Sequence, residues 1–156
     1  MSADILTSSR EAMKQHLMAY GPLAAVPVFL ERSGVDINND VEAALNTKGL
    51  AIVILSAVGG VADQIRQGGA TLRVTVPVCL LDNVTRNMAA EDAENDLPAG
   101  HNIPSEVGIM HVLKALVGKP VGAGDASVNS EVFARGEDGS GLIEHYIGID
   151  FPVIVR

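Results

Sequence analysis

The stretch that decides the fold is residues 72–81, which read LRVTVPVCLL. Its even-numbered positions are all aliphatic, whereas its odd-numbered positions are mostly polar, proline or cysteine. Successive side chains of a β-strand point to opposite faces, so this alternation predicts a strand with one buried face. Residues 143–155 repeat the pattern at greater length, with Ile147, Ile149 and Phe151 on the same predicted face as His145. Two such strands predict a sheet with one face in the core.

The first half of the chain adds helices and shorter strands. Apolar residues at helical spacing predict a helix over Ile5–Tyr20, ended by glycine and proline at 21–22. Val26–Leu30 predicts a short strand, and Leu50–Val58, apolar on both faces, predicts a central strand. Between them, residues 38–40 (Asn-Asn-Asp) are predicted to cap a short helical turn over Val41–Leu45.

The second half contains a long polar segment, a helix and a hairpin. Residues 83–102 predict a loop, and Pro104 is predicted to open the second helix. We expect the buried stripe of this helix to comprise Val107, Met110, Leu113, Leu116 and Val117. Residues 128–135 and the turn 136–141 predict a hairpin with the last strand. The expected fold is a single α+β domain over residues 1–156. It has a mainly antiparallel sheet, with the N-terminal helix and the second helix packed on one face.

Composition excludes several classes of function. Eleven Lys and Arg against nineteen Asp and Glu give a formal charge of −8, and no basic stripe or aromatic platform is present to bind nucleic acid. The single cysteine, Cys79, rules out an internal disulfide and thiolate zinc sites. The N-terminal residues do not resemble a signal peptide, and no apolar run is long enough to cross a bilayer. We therefore expect a soluble protein made in a reducing cytoplasm, without a membrane partner.

Motifs that carry chemistry are weak. Residues 122–125, Gly-Ala-Gly-Asp, match a motif of ribokinase-type sugar kinases, but here they follow a helix end and predict a glycine-rich turn. The histidines have no metal-binding spacing; they are His16, His101, His111 and His145. No serine lies in a nucleophile elbow, and Cys79 has no basic neighbour to activate it. The sequence thus predicts no catalytic, cofactor-binding or metal-binding residue. A small-molecule enzyme using the 122–125 turn is the alternative.

The segment 83–102 is the candidate functional site. It concentrates four acids, Glu91, Asp92, Glu94 and Asp96, and has few apolar anchors. Long loops in compact domains are functional or mobile, so we expect either a mobile arm that faces a partner or a lumen, or an acidic loop that is simply solvated.

The faces of the long strands away from the predicted core are the second candidate surface. They carry Thr75, Pro77 and Cys79 on one strand and Tyr146 and Pro152 on the other, fewer charges than a solvated sheet face usually has. A half-apolar face of this kind favours packing against copies of the same chain. Alternatively, a helical segment at 41–46 or 61–67 covers it within the monomer.

The order of elements resembles the tail-terminator and tail-completion proteins of long-tailed bacteriophages. The matching features run over nearly the whole chain: the helix Ile5–Tyr20, the strand Val26–Leu30, the strand with its glycine lead over Lys48–Ile54, the alternating strand Leu72–Val76, the acidic loop, the helix Val107–Val117 and the strand Tyr146–Val155. The long 83–102 segment departs from the simple pattern.

The resemblance implies a structural protein without catalysis or cofactor. Members of this family form a hexameric homo-oligomeric ring on the end of the tail tube, stop its polymerisation and present the surface that joins the head. The implied partners are the tail tube protein and a head–tail connector or neck protein, and DNA passes through an acidic lumen without binding. The implied location is the virion, at the head–tail junction, after assembly in the host cytoplasm. A neck adaptor subunit is the alternative.

Overall fold

The structure of the protein is a computed structural model that describes residues 2–137 and 141–155. Its strands are β1 (Val28–Leu30), β2 (Leu50–Ile54), β3 (Gly60–Arg66), β4 (Gly69–Asn83), β5 (Pro120–Val121), β6 (Gly124–Asp125), β7 (Ser127–Glu137) and β8 (Leu142–Val155). Its helices are α1 (Ser2–Ala19), a short 3-10 turn (Gly21–Leu23), α2 (Asn38–Thr47), α3 (Val84–Asn87) and α4 (Ser105–Leu116).

The main sheet is built around the pair of long strands β4 and β8. Its strand order is β1-β2-β4-β8-β7, and β3 pairs with the half of β4 that β2 leaves open. β4 and β8 are antiparallel from Ala70 opposite Val155 to Asn83 opposite Leu142. Among the described strands of this sheet, only β1 and β2 pair in parallel. The expected α+β fold with a mainly antiparallel sheet is confirmed.

One face of the sheet, here called the core face, packs against α1 and α4. Val76, Ile147 and Ile149 on the two long strands are fully buried, as their alternation predicts. They form one cluster with Met13 and other residues of the helices. All five residues of β2 are buried, as expected of a central strand.

The buried stripe of α4 differs from the prediction. The helix buries the residues Gly108, Ile109, Val112, Ala115 and Leu116. Only Leu116 belongs to both sets, whereas Val107, Met110 and Val117 are 45%, 52% and 43% exposed. Both stripes have helical spacing, so periodicity alone did not separate them. Gly108 lies on the buried side of the helix, where a Cβ would lie 2.8 Å from Leu80 Cδ2, so the missing side chain lets α4 approach β4 closely.

The opposite face of the sheet, here called the outer face, is partly covered by α2. Val53 and Cys79 on this face are buried and border a groove that Val41 of α2 also lines. The alternative that residues 41–46 cover this face is therefore correct over β2, whereas residues 61–66 belong to strand β3. The predicted cap is also wrong. Residues 38–40 form the first turn of α2, and the N–H of Asn38 donates to Asp36 Oδ1.

Cys79 is expected to be unreactive in the native protein. Its thiol is buried on the outer face, and burial raises its pKa to about 12, so almost no thiolate forms near neutral pH. A thiol reagent at pH 8 should label it at least a hundredfold more slowly in the native protein than in the protein unfolded in guanidinium. Equal rates in both states would contradict the packing of α2 over this strand.

Candidate functional site: a buried polar cluster and the acidic segment

Four polar side chains meet at one end of the core face, where it leads into the acidic segment. They are Asp82 at the end of β4, Asn87 in α3, Ser105 at the start of α4 and His145 in β8. Asn87 Nδ2 donates to Asp82 Oδ1 at 3.0 Å, and His145 Nε2 lies 3.1 Å from Ser105 Oγ. Asp82, Asn87 and His145 are all buried. We call this group the polar cluster.

Burial controls the charge of the polar cluster. Desolvation raises the pKa of Asp82, and hydrogen bonds from Asn87 and Ser105, together with the nearby His145, offset part of that increase. A buried carboxylate with several donors fixes the positions of the groups that satisfy it, because any displacement leaves a charge unpaired. The polar cluster therefore ties α3 and the start of α4 to the ends of β4 and β8.

Asn87 makes several of the hydrogen bonds that hold residues 84–104 to the sheet. Its Nδ2 also donates to the carbonyl of Ile103 at 2.7 Å, and its main-chain carbonyl accepts from the N–H of Asn102 at 2.8 Å. Two glycines pack directly against its backbone: a Cβ on Gly49 or Gly100 would lie 2.2 or 2.1 Å from main-chain atoms of Asn87. Gly49 also adopts a φ of +94°, which favours glycine. Both ends of the segment therefore converge on one buried asparagine.

The four acids lie beyond this anchor, at a turn that we call the acidic tip (residues 91–97). Asp92 and Leu97 form a short antiparallel bridge, and Asn95 donates to the Asp92 carboxylate. These hydrogen bonds lower the pKa of the exposed Asp92. Arg86 donates to the carbonyls of Ala90 and Pro98 at the base of the tip. The segment predicted as a loop thus contains the short helix α3, and its anchor is polar, where the sequence suggested only sparse apolar contacts.

Limited proteolysis is expected to cut only the acidic tip. Glu91, Glu94 and Asp96 are exposed, so a glutamate-specific protease should cleave there first. The residues around Asn87 should resist, because its hydrogen bonds and glycine contacts hold them against the sheet. Mass spectrometry of the first fragments tests this. Early cleavage within 84–88 by a protease of broad specificity would contradict the anchor.

The contacts within the polar cluster differ from those of a serine hydrolase. In a serine hydrolase the acid orients the histidine, and the histidine activates the serine. Here Ser105 interacts with both titratable groups: it hydrogen-bonds to the Asp82 carboxylate, and its Oγ lies 3.1 Å from His145 Nε2. The arrangement positions chain segments.

Gly122 and Ala123 of the Gly-Ala-Gly-Asp motif form the turn between β5 and β6, as the sequence predicts, and Gly124 and Asp125 are β6 itself. The N–H of Ala123 donates to the carbonyl of Pro152 at 2.8 Å, so it is not available for an anion. A Cβ on Gly122 or Gly124 would lie 2.5 or 2.7 Å from atoms of Pro152. The glycines thus serve close packing of this turn on β8.

The four histidines lie at separate places in the structure. His16 Nε2 lies 2.9 Å from the carbonyl of Pro120, and the ring of His111 packs against Tyr20 with ring centroids 5.7 Å apart. The N–H of His101 donates to the carbonyl of Lys48, and burial and this lysine lower the pKa of its imidazole. Within residues 2–137 and 141–155, no group of three or more His, Cys, Asp or Glu side chains is placed to bind a metal ion.

Sequence reasoning missed Asp82, Asn87 and Ser105 as a site. The usable signal was that Asp82 continues the even-numbered apolar face of β4, while His145 lies on the apolar face of β8. Two titratable residues on predicted core faces need partners, which pointed to a buried polar contact. Asn87 carried no such signal, because its burial depends on the course of residues 84–104.

Exposed apolar residues are spread over the subunit, and two of the places where they occur lie far apart. One is the α4 stripe, defined as Val107, Met110 and Val117. The other is the far end of β4, where the β3–β4 hairpin leaves Ile65 79% exposed. Gly108 contacts Leu80, and Ile65 pairs with Ala70, so the two places are ten strand residues or roughly 33 Å apart.

Comparison with protein-family models gave no match, and comparison with curated proteins gave none. Among the described helices, none has the length and apolar character to span a membrane.

Proposed function

We propose that this protein is a structural subunit of a bacteriophage tail. In this proposal, copies of the chain form a ring at the head-proximal end of the tail tube, stop its polymerisation and join the tail to the head. The proposal includes no catalysis. Its specific content comes from the resemblance in element order and hydrophobic pattern, to which the α+β fold conforms.

The observation that carries the proposal is the pair of distant apolar surfaces. The α4 stripe and the exposed Ile65 differ in sequence and lie near opposite ends of β4. A subunit that joins one such surface to the other on its neighbour makes a heterologous contact, and repeated heterologous contacts close into a ring when the rotation allows. The three large apolar side chains of the α4 stripe, exposed on one side of the helix and at its end, also favour contact with another protein over contact with water.

The charge of the chain agrees with a passage for DNA. A net charge of −8 and the carboxylates of the acidic tip give a surface that duplex DNA does not bind by phosphate neutralisation. DNA then passes such a ring without being held.

The test is deletion of the gene in a phage or prophage that encodes this chain. Tails are expected to reach irregular lengths and to fail to join heads, and the purified protein should restore joining. Met110→Ser should restore joining at least tenfold less well, because it removes a large apolar contact from the α4 stripe. Lys114→Ser, an exposed substitution on the same helix, is the control. Tails of normal length that lack heads would favour a neck adaptor, and normal virions would overturn the proposal.

A further inference from the structure

A trough of about 570 Å³ lies along the β1 edge of the sheet, between helices that cover its two faces. Lys14 and Met18 of α1 line one wall, and Ala43, Ala44 and Thr47 of α2 line the other. The floor is formed by residues 24–28, and Lys48 and His101 lie at its border. The walls consist mainly of small or apolar side chains, which leaves room for another chain to approach the floor.

The main chain of β1 is open on this side. The carbonyl of Pro27 accepts from the N–H of Ile52, and the N–H of Glu31 donates to the carbonyl of Ile54. In a parallel ladder the residues that bond to the partner strand alternate, so the main-chain groups of Val28 and Leu30 point away from β2. No described residue pairs with those groups, and β1 ends the strand order. The N–H and C=O of Val28 therefore face the trough.

The charges at the trough are opposite to those of the whole chain. In a protein with a net charge of −8, Lys14 and Lys48 both line this trough, and no described carboxylate lies within ion-pair distance of either. His101 Nε2 is buried without a hydrogen-bond partner among the described residues. Such nitrogen groups around an apolar trough suit a carboxylate carried on an apolar chain.

We propose that this trough binds an extended, acidic segment of a partner polypeptide, which pairs with β1 as an added strand and places a carboxylate against Lys14 or Lys48. Strand addition at an open edge derives its affinity from main-chain hydrogen bonds and its specificity from alternate side chains. This inference goes beyond the ring, because it assigns a second binding surface on the edge of the sheet and a partner of stated chemistry.

The open main chain favours a polypeptide over a small amphiphilic anion. A fatty acid satisfies the lysines but leaves the N–H and C=O of Val28 unpaired. A second copy of this chain fits less well, because β7, the strand at the other end of the sheet order, is irregular between Asn129 and Ala134 where it pairs with β8.

The test uses a ten-residue peptide of alternating valine and threonine with two threonines replaced by glutamate, added to the full chain at about 1 mM to detect weak pairing. We expect amide exchange at Val28 and Leu30 to slow at least tenfold, whereas Phe29, already paired with β2, stays unchanged. Lys14→Glu and Lys48→Glu should each weaken binding at least tenfold. The controls are Lys114→Glu, the same charge change on α4, and a peptide with lysine in place of glutamate, which should not bind.

Three results would overturn the proposal. The first is absence of any protection at Val28 and Leu30. The second is dodecanoate displacing a bound probe while the peptide does not, which would assign the trough to a small amphiphile. The third is loss of self-association in Lys14→Glu without peptide binding to the wild type, which would assign the trough to a second copy. Ring formation is measured separately, so failure here leaves the tail proposal standing.

Discussion

Val76→Asp is expected to prevent the protein from folding. Val76 lies at the centre of β4, fully buried on the core face, with Ile149 opposite it on β8. The substitution puts a carboxylate among aliphatic side chains, and no donor is in position to satisfy it. Such changes cost about 4 kcal/mol or more, a large part of the 5–15 kcal/mol that keeps a typical domain folded. Circular dichroism and the soluble yield measure the loss.

The matched control is Ile154→Asp on the partner strand β8. Ile154 is 43% exposed and lies on the outer face, so its carboxylate remains hydrated. We expect its free energy of unfolding to change by about 1 kcal/mol or less. If Val76→Asp instead unfolds at the wild-type temperature, the assignment of the two faces of the sheet is inverted.

Asn87→Ala is expected to release residues 84–104 from the sheet while the strands stay folded. The substitution removes the hydrogen bonds of Asn87 to Asp82 and to Ile103, and it leaves a buried carboxylate with fewer donors. The loss of several buried hydrogen bonds costs about 3 kcal/mol, and this cost falls on the segment that Asn87 anchors. Hydrogen exchange should rise at least tenfold in 84–104 and stay unchanged in the β4–β8 ladder. Asn95→Ala, whose side chain bonds only within the exposed acidic tip, is the control.

The loss in free energy of unfolding caused by Asn87→Ala should become smaller as the pH falls. Burial holds the pKa of Asp82 above its ordinary value of 3.8, so this group contributes stability that is fully present below about pH 3.8 and is lost as pH rises through the folded pKa. The hydrogen bond from Asn87 lowers that pKa, so its removal raises the pKa further. Relative to the wild type, the variant therefore loses the most stability near neutral pH and the least at a pH where Asp82 is protonated in both proteins. Denaturant titrations from pH 7 down to about pH 4 measure the difference, and a loss of stability that grows as the pH falls would contradict the role of Asp82.

Periodicity predicted the elements that bury one regular face. The alternation around Val76 and Ile149 and the helical spacing in α1 each specify an element and its buried side, and the structure agrees. The α4 stripe shows the limit of this reasoning. Val112 and Met110 both lie at helical spacing, and the buried face is the one on which Gly108 approaches Leu80.

The polar cluster could be predicted only in part. Asp82 and His145 are visible as polar residues on apolar faces, because a strand pattern fixes which face each occupies. Asn87 and Ser105 come from segments whose path is set by tertiary contacts, including the approach of Gly49 and Gly100 to Asn87. The trough on β1 was not predictable either, since it depends on α1 and α2 covering opposite faces of the same edge.

The pairing of β4 with β8 also sets the order in which the chain folds. β3 with β4 and β7 with β8 are local hairpins, whereas β4 and β8 are separated by residues 84–141. Hairpins form in about 1–10 μs. Joining the two hairpins is slower, because the long loop between them must close, at a cost in chain entropy, before β4 and β8 make contact. We therefore expect folding on the millisecond-to-second scale, limited by the meeting of two preformed hairpins. Residues 84–104 and α4 lie within that loop, so the polar cluster assembles last, after the sheet to which it anchors them.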